Sequence, residues 1–330
     1  MKSLLLSLLI IAPIVGSCNK TQPVVETKNT PSKPEFKAYQ ILAHNPTNVN
    51  FSPITLQQLA TLLKLDQISG SLTEKQESKN FSTANSVWTK SKKHPLKPKE
   101  INDWIVKNSC GNFTEFYEKM EPKTNTIMLS SLCFHGKFLH SFDSKNTIPA
   151  HFQSSPYGSS GIKLMRKTGD FRYFEDESAQ WLELPLQNSS IVMWLALPRK
   201  KFELNKIEGK ISTEYLSTVE KGLKDHQVEV SIPKFQLNQK LSIKDLLMQL
   251  GAEFDSRSGR SNFTEIAQIA SFNMNELGIN AEEENGTKSE KESSGFSLRS
   301  NKFEAVQPFL VVIKNINPDE IILLGRVYKP

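Results

Sequence analysis

The feature that most constrains this chain is a long polar stretch in its last fifth, flanked on both sides by segments with strand character. The stretch follows Glu276-Leu277-Gly278-Ile279-Asn280-Ala281, continues as a charged run to Gly295, and ends before Phe303-Glu304-Ala305-Val306-Gln307-Pro308-Phe309. A loop of this length without regular structure is uncommon inside a compact domain unless it is functional or disordered. Any fold for this chain must therefore join two strands through a long polar loop.

The first residues of the chain predict secretion. Residues 4–15 are almost wholly apolar, but they are too few to span a membrane as a helix. The small residues before Cys18 resemble a bacterial lipobox, in which the cysteine is acylated and becomes the mature N-terminus. Ordinary signal cleavage is the alternative, because Val15 and Ser17 also suit a small-residue cleavage rule. We expect residues 1–17 to be a signal peptide and the lipid on Cys18 to hold the protein at the cell envelope.

Residues 18–35 predict a flexible tether. They are rich in Thr, Pro, Lys and Asn, and a segment this polar cannot offset the loss of chain entropy on folding. Residues 36–330 show no second linker and no repeat, so we expect one domain. The net charge of +6 is mild and its basic residues are spread along the chain, so we expect no nucleic-acid partner. Cys110 and Cys133 also occur, and the sequence does not show whether they pair.

Helical spacing dominates the first part of the domain, and strand patterns dominate the second. Helices are predicted over residues 35–43, from Pro53, and from Ile101 toward Met120, because apolar residues recur there three and four positions apart. Strands are predicted at 80–90, 126–134, 162–165, 171–174, 181–184, 190–197, 227–235, 309–313 and 321–324, with further helices at 213–224 and 243–250. The predicted fold class is therefore α+β.

The sequence shows no combination of residues specific to catalysis. It has no serine elbow, no two-histidine zinc helix, no paired-cysteine metal spacing and no phosphate-binding glycine loop. His135 and His140 would face opposite sides of a strand. Ser160 and Lys163 have the spacing of penicillin-binding enzymes, but that chemistry needs both residues on one helix, and Gly161 leads here into a strand. We expect no enzyme activity, no cofactor and no metal.

Several short motifs, taken in order along the chain, resemble one family. They are Phe51-Ser52-Pro53-Ile54-Thr55, Ser130 to Phe142, Leu182-Glu183-Leu184-Pro185, Ile232-Pro233-Lys234-Phe235, Asn262-Phe263-Thr264, Phe303 to Phe309 and Gly325-Arg326-Val327. Each motif alone is weak, but their shared order across nearly the whole domain is specific. The domain from Phe36 to Pro330 is identified as a member of the serpin family, of a bacterial lipoprotein type.

This resemblance implies three β-sheets covered by helices, with an exposed reactive-centre loop at about residues 276–302. In inhibitory serpins a protease cleaves this loop and is trapped as an acyl-enzyme when the loop inserts as a strand into the main sheet. The implied partner is a serine or cysteine protease, and the protein is expected to be a monomer. Glu276, Gly278 and Ala281 match the hinge from which the loop inserts.

The residues after this hinge depart from the family pattern. Glu282, Glu283 and Glu284 stand where the family has small uncharged residues. Successive residues of a strand alternate between its two faces, so three consecutive glutamates cannot all face outward after insertion. Burying an unpaired carboxylate costs several kcal/mol. Two functions follow: a suicide inhibitor of proteases, or a non-inhibitory serpin-fold binding protein or cleavable protease substrate.

The residues that open the main sheet in this family also differ here. Ser130 stands at the position of the family's asparagine, and Gln268 lies near the position of its histidine partner. Residues 66–80 and 96–99 are shorter than the corresponding segments of the family, which indicates lost helices or a missing strand.

The scissile bond has three candidate positions. Counting forward from Glu276 points near Glu292, whereas counting back from Pro308 points to residues 294–297. Leu298-Arg299-Ser300 resembles a trypsin-like cleavage site, so Arg299 and Ser300 flank the third candidate bond.

Overall fold

The computed structural model describes residues 33–63, 72–92, 94–111, 113, 116–187, 190–254, 262–282 and 300–330. The predicted signal peptide and most of the predicted tether lie outside these ranges. The described helices are α1 (Pro34–Leu42), α2 (Pro53–Leu62), α3 (Pro98–Asn108), α4 (Leu204–Glu208), α5 (Thr213–Gly222) and α6 (Ile243–Gln249), with a 3₁₀ turn at Ser144–Asn146.

The described strands form two hydrogen-bonded sheets. In chain order they are β1 (Val49–Phe51), β2 (Leu72–Glu77), β3 (Phe81–Thr89), β4 (Thr126–Phe134), β5 (Gly136–Lys137), β6 (Ile148–Ser155), β7 (Gly158–Glu175), β8 (Ala179–Pro185), β9 (Ile191–Pro198), β10 (Lys224–Pro233), β11 (Phe235–Ser242), β12 (Phe263–Asn275), β13 (Gly278–Ile279), β14 (Asn301–Glu304), β15 (Phe309–Ile316) and β16 (Asp319–Val327).

The main sheet has seven strands in the order β2-β3-β4-β12-β13-β5, with β11 also paired to β12. Strands β4 and β12 run parallel and pair from Thr126 beside Phe263 to Cys133 beside Ser271. The other pairings in this sheet are antiparallel. We call the parallel β4–β12 boundary the seam.

The second sheet has nine strands in the order β1-β16-β15-β9-β8-β7-β10-β14, with β6 also paired to β7. Strand β7 is 18 residues long, and it pairs with β6 through its first part, with β10 through its middle and with β8 at its end. This one strand joins a small sheet (β6, β7, β10, β14) to a larger one (β8, β9, β15, β16, β1). The three predicted sheets therefore appear as two hydrogen-bonded sheets.

Both faces of β4 and β12 are covered. Leu132, Phe134, Ala270 and Phe272 lie on the inner face and share an apolar cluster with residues of the second sheet such as Phe309. On the outer face, Ile127, Leu129, Ala267 and Ile269 pack against Ile101 and Ile105 of α3. Burial of both faces explains the continuous apolar run that predicted a strand at residues 126–134.

Local signals set the helix boundaries. The Ser52 hydroxyl caps α2 by accepting from the Thr55 N–H (3.5 Å), and the Ser212 hydroxyl caps α5 by accepting from the Tyr215 N–H (3.2 Å). The expected continuation of α3 toward Met120 is wrong. Helix α3 ends at Asn108 because Cys110 and Gly111 adopt left-handed conformations, with φ of 59° and 69°.

Strands β2, β6, β11 and β12 were not predicted. Strand β2 occupies the stretch where a missing strand was considered, and it pairs with β3 as the edge of the main sheet. Strand β6 buries only Phe152 fully, so its sequence lacks an alternating pattern. Exposed strands such as β6 carry little apolar periodicity, because few of their residues meet the core. Strand β12 is instead buried through its middle, and the buried polar residues Gln268 and Ser271 interrupt its apolar run.

Candidate functional site

The predicted reactive loop joins the two sheets. Its first described part is β13, which pairs with β12 and β5 of the main sheet. Its last described part leads into β14, which pairs in parallel with β10 of the second sheet. Residues 283–299 lie outside the described residues. The chain thus leaves one sheet after β13 and enters the other at β14.

Glu276, the first residue of the predicted hinge, is held by three hydrogen bonds. Its carboxylate accepts hydrogen bonds from the Lys234 ammonium (2.7 Å) and the Thr147 hydroxyl (2.8 Å), and its backbone carbonyl accepts from the Phe142 N–H (2.9 Å). Burial acts to raise the pKa of the Glu276 carboxyl, but the hydrogen bonds from Lys234, its own backbone N–H and Thr147 outweigh burial and lower that pKa. The carboxylate is therefore held ionised beneath the hinge.

Gly278 allows β13 to approach β5 closely. Its φ is 153°, and a Cβ atom built on it would lie 2.0 Å from the carbonyl oxygen of Gly136 and 2.9 Å from the Cα of Lys137. No side chain fits this space, so glycine is required for β13 to pair with β5 in the sheet. The next residue, Ile279, is completely buried in the inner apolar cluster.

Asn280 lies just beyond β13 and hydrogen-bonds to the backbone of β4 and β12. It adopts a left-handed conformation (φ 45°), and its backbone N–H donates to the Asn273 carbonyl (2.7 Å). Its side-chain amide nitrogen donates to the carbonyl oxygens of Phe134 on β4 (2.7 Å) and Ser271 on β12 (3.1 Å). Asn280 is thus hydrogen-bonded to one backbone carbonyl of each seam strand. The predicted hinge residue Ala281 follows it, and its carbonyl accepts from the Asn275 side chain (2.8 Å).

The structure places Ser130 and Gln268 directly beside each other across the seam. Both are fully buried, and the Gln268 amide nitrogen donates a long hydrogen bond to the carbonyl oxygen of Asn50 (3.5 Å). Neither Ser130 Oγ nor Gln268 Oε1 has a hydrogen-bond partner within the described ranges. Two polar atoms are therefore left unpaired at the middle of the closed seam, which is unfavourable by about 1–3 kcal/mol each.

The remaining predicted site residues fall in different places. Ser300 lies just before β14, and its hydroxyl donates to Glu229 (2.7 Å). Arg299 and the other scissile candidates, and also Cys18, lie outside the described residues. Glu282 is exposed. The roles of Glu276, Gly278, Ala281, Arg299 and Ser300 in loop cleavage and insertion stay predictions.

The residues considered for catalysis or metal binding are not arranged as a site in the described part of the chain. Ser160 and Lys163 both lie on β7, three residues apart, so they point to opposite faces of a strand. In the part of the chain that the structure describes, no group of three or more His, Cys, Asp or Glu side chains is arranged to bind a metal. Within the same part, none of the helices has the length and apolar character needed to cross a membrane.

Two features of the site were missed by sequence reasoning. The structure shows a disulfide between Cys110 and Cys133, whose pairing the sequence left open. It also shows that Asn280 bonds to both seam strands. An asparagine after a glycine hinge is a weak sequence signal for a left-handed residue, but its partners lie far away along the chain.

Comparisons with known proteins agree with this architecture. The family model described as serpin (serine protease inhibitor) matches residues 75–330. Intracellular coagulation inhibitor 2 of Tachypleus tridentatus is 27% identical over 256 residues, covering 74% of this chain and 60% of that protein. Human antithrombin-III is 28% identical over 244 residues, covering 70% and 53%. A serpin-like protein of Thermococcus kodakarensis is 26% identical over 246 residues, covering 70% and 56%. The chain thus spans about half to three fifths of the length of these curated relatives.

Solved structures show the same fold. Uncleaved ovalbumin superposes with a TM-score of 0.73 at 18% identity, covering 91% of this chain and 98% of that one. Human thyroxine-binding globulin superposes with a TM-score of 0.72 at 14% identity, covering 91% and 97%. At these identities the likeness concerns the fold alone.

Proposed function

The chain belongs to the serpin family, and on this premise we propose that it inhibits serine or cysteine proteases as a suicide substrate. A protease cleaves the loop after β13, and the loop then inserts as a strand between β4 and β12. The observation that carries this proposal is β13 itself, because the first residues of the loop are already paired with β12 at the end of the seam. The protein acts here as bait and not as a catalyst.

The parallel pairing of β4 with β12 favours insertion of the loop between these two strands. Strands β4 and β12 are parallel, and parallel pairing is slightly less stable per residue than antiparallel pairing. The loop follows β12 and turns back at β13, so an inserted loop would run antiparallel to both neighbours. One parallel boundary would be replaced by two antiparallel ones, with a gain of hydrogen bonds and buried area.

The register of β13 assigns the loop residues to faces. Ile279 pairs with Met274 on β12 and with Gly136 on β5, and it faces the inner apolar cluster. Continued in this register, every second residue after Ile279 would face inward. Glu283 would lie between Leu132 and Ala270, whereas Glu282 and Glu284 would face outward. The unfavourable burial thus concerns one glutamate, not three.

The same register offers a compensating contact. Asn285 would lie between Ser130 and Gln268, whose Oγ and Oε1 atoms lack partners in the closed seam. A side-chain amide has both donors and an acceptor, and it can pair with both atoms. An asparagine at this position therefore supports insertion, in opposition to Glu283.

Incubation with trypsin-like and elastase-like serine proteases, and with a papain-like cysteine protease, tests the proposal. We expect a covalent complex that survives denaturing electrophoresis, and a large rise in the melting temperature after loop cleavage. Sequencing the released fragment locates the scissile bond. A cut after Arg299, or after Lys291 beside Glu292, would identify a trypsin-like target, whereas a cut within residues 294–297, which contain no Lys or Arg, would exclude that assignment. Cleavage without a covalent complex and with an unchanged melt would rule out inhibition.

A second function is favoured by Glu283. If burying this carboxylate stops insertion, the protein is a non-inhibitory serpin-fold binding protein or a cleavable protease substrate. Thyroxine-binding globulin, whose name records ligand binding, superposes well on this fold. The same protease assay separates the two functions, because only an inhibitor forms the covalent complex.

We further propose that a lipid on Cys18 holds the protein, as a monomer, at the cell envelope, with residues 18–35 as the tether. The disulfide supports an oxidising compartment, where such bonds persist. Cys18→Ser should move the protein from the membrane fraction to the soluble fraction, while Ser17→Ala should not. Membrane association that persists in Cys18→Ser would refute lipidation, and ordinary signal cleavage would leave the unaltered protein soluble.

A further inference from the structure

A disulfide lies at the end of the seam where the hinge enters the main sheet. It joins Cys110, two residues after the end of α3, to Cys133 on β4, which lies beside Ser271 of β12. The Cα atoms of the two cysteines are 5.2 Å apart. Both cysteines are partly exposed, so a reductant can reach the bond in the folded protein.

The disulfide attaches the first residues after α3 to strand β4. A hydrogen bond from the Ser131 hydroxyl to the Asn108 carbonyl oxygen (2.6 Å) attaches the end of α3 to the same strand. Ile101 and Ile105 of α3 belong to an apolar cluster that also contains residues of β4 and β12, so this cluster extends across the seam. The end of α3 therefore moves with β4 as long as the disulfide is intact.

The same segment is held on the other side of the seam at Tyr117. Its hydroxyl donates to Glu265 of β12 (2.9 Å) and accepts from the Lys240 ammonium of β11 (3.2 Å). Lys240 also forms an ion pair with Glu265. Cys110 is thus attached to β4, and Tyr117, seven positions further along the chain, is attached to β12 and β11. We call these two attachments, one on each side of the seam, the bridge.

The hinge meets this bridge at Asn280. The Asn280 amide nitrogen lies 3.8 Å from the Cys110 sulfur while it donates to the carbonyl oxygens of Phe134 and Ser271. A strand that enters here widens the seam from one strand spacing to two, from about 4.8 Å to about 9.6 Å. The intact disulfide resists this widening, because the β4 end of the bridge cannot detach.

We propose that the Cys110–Cys133 disulfide is a thiol–disulfide exchange site, and that its reduction by a dithiol loosens the seam and speeds loop insertion. A thiolate of the dithiol attacks one sulfur, the Cys110–Cys133 bond breaks, and a mixed disulfide forms. The second thiol of the reductant then displaces the protein sulfur. The protein gains two electrons and two protons as two thiols, and the reductant ends as a disulfide. The effect on insertion rests on the proposed function, whereas the loosening of the seam does not.

Hydrogen exchange measures this loosening without any protease. We expect the backbone amides of β4 and β12 to exchange about tenfold faster in protein reduced with dithiothreitol than in oxidised protein, because local opening of the seam becomes easier. The amides of β9 and β15 in the second sheet should keep their rates. The Cys110→Ser/Cys133→Ser variant should match reduced wild type without reductant, and dithiothreitol should not change its exchange.

Equal exchange at β4 and β12 in the oxidised and reduced protein would overturn the proposal. A uniform acceleration in both sheets would also overturn it, because that reports general destabilisation. If the double variant does not fold, the oxidised and reduced wild-type proteins decide the question. Faster hydrogen exchange at the seam supports the thiol–disulfide exchange site whether or not a covalent protease complex forms. The two proposals can therefore fail independently of each other.

Discussion

At the scale of single residues, Gly278 lies where β13 approaches β5 too closely for a side chain. Its missing Cβ leaves room for the carbonyl oxygen of Gly136, which would otherwise lie 2.0 Å away. We predict that Gly278→Ala lowers the free energy of unfolding by about 2 to 4 kcal/mol, because β13 must shift away from β5. Urea denaturation measures this change.

Gly161 is the matched control for that substitution. It also lies in a strand, but a Cβ built on it meets no atom within 4 Å. Gly161→Ala should change the free energy of unfolding by less than about 0.5 kcal/mol. Equal effects of the two substitutions would mean that the close approach of β13 and β5 does not limit residue 278.

Glu276 gives a prediction that depends on pH. Its folded-state pKa is lowered, because hydrogen bonds from Lys234 and Thr147 outweigh burial. A lowered pKa contributes stability above the unfolded-state pKa, and this contribution is lost as the pH falls through the folded-state pKa. Glu276→Gln should therefore lower the free energy of unfolding by about 1 to 2 kcal/mol at neutral pH. The difference from wild type should shrink as the pH falls below about 4. A difference that is constant with pH would contradict the proposed role of the charge.

At the scale of elements, a buried ion pair joins α1, α4 and β16. The Arg326 guanidinium donates to Glu208 through Nε (2.8 Å) and Nη2 (2.5 Å), and the Tyr39 hydroxyl donates to the same carboxylate (2.8 Å). We predict that Arg326→Met lowers the free energy of unfolding by about 3 to 5 kcal/mol, because it leaves the buried Glu208 carboxylate without its cation.

Adding Glu208→Gln tests the reason for that loss. The double variant Arg326→Met/Glu208→Gln removes the buried charge and keeps an acceptor for Tyr39, so it should be more stable than Arg326→Met alone. Thermal or urea denaturation of the three proteins provides the comparison. A double variant less stable than Arg326→Met would show that lost packing, rather than the unpaired charge, causes the effect.

At the scale of the whole molecule, the register of β13 separates the three hinge glutamates. Only Glu283 would face inward after insertion, between Leu132 and Ala270. We predict that the melting temperature of loop-cleaved Glu283→Ala exceeds that of loop-cleaved wild type by about 5 °C or more, because a buried carboxylate is removed.

Glu282→Ala is the control in the same loop. Glu282 would face outward beside Ser271 and Cys133, so its removal should leave the melting temperature of the cleaved protein nearly unchanged. The calorimetric scan is made before and after cleavage for each variant. Equal shifts for the two variants would refute the register, and no shift for either would mean that neither carboxylate limits insertion.

The sequence by itself determined what depends on near neighbours along the chain. Apolar spacing predicted most helices and several buried strands, including residues 126–134 and 190–197, but not β12, and ordered short motifs identified the family. The sequence also predicted a reactive loop with hinge residues Glu276 and Gly278, and these roles stay predictions. It did not predict the edge strands β2 and β6, because strands with little buried surface carry no periodic signal.

Only the tertiary structure decided how distant segments meet. The Cys110–Cys133 pairing, the parallel seam and the contact from Asn280 to Phe134, which is 146 positions away, all join residues far apart in the chain. The inward position that we propose for Glu283 in the inserted loop is extrapolated from the register of β13, and a shift of one residue would reverse it. Register and pairing are set by packing across the whole domain, whereas a sequence pattern reports only the immediate surroundings of each residue.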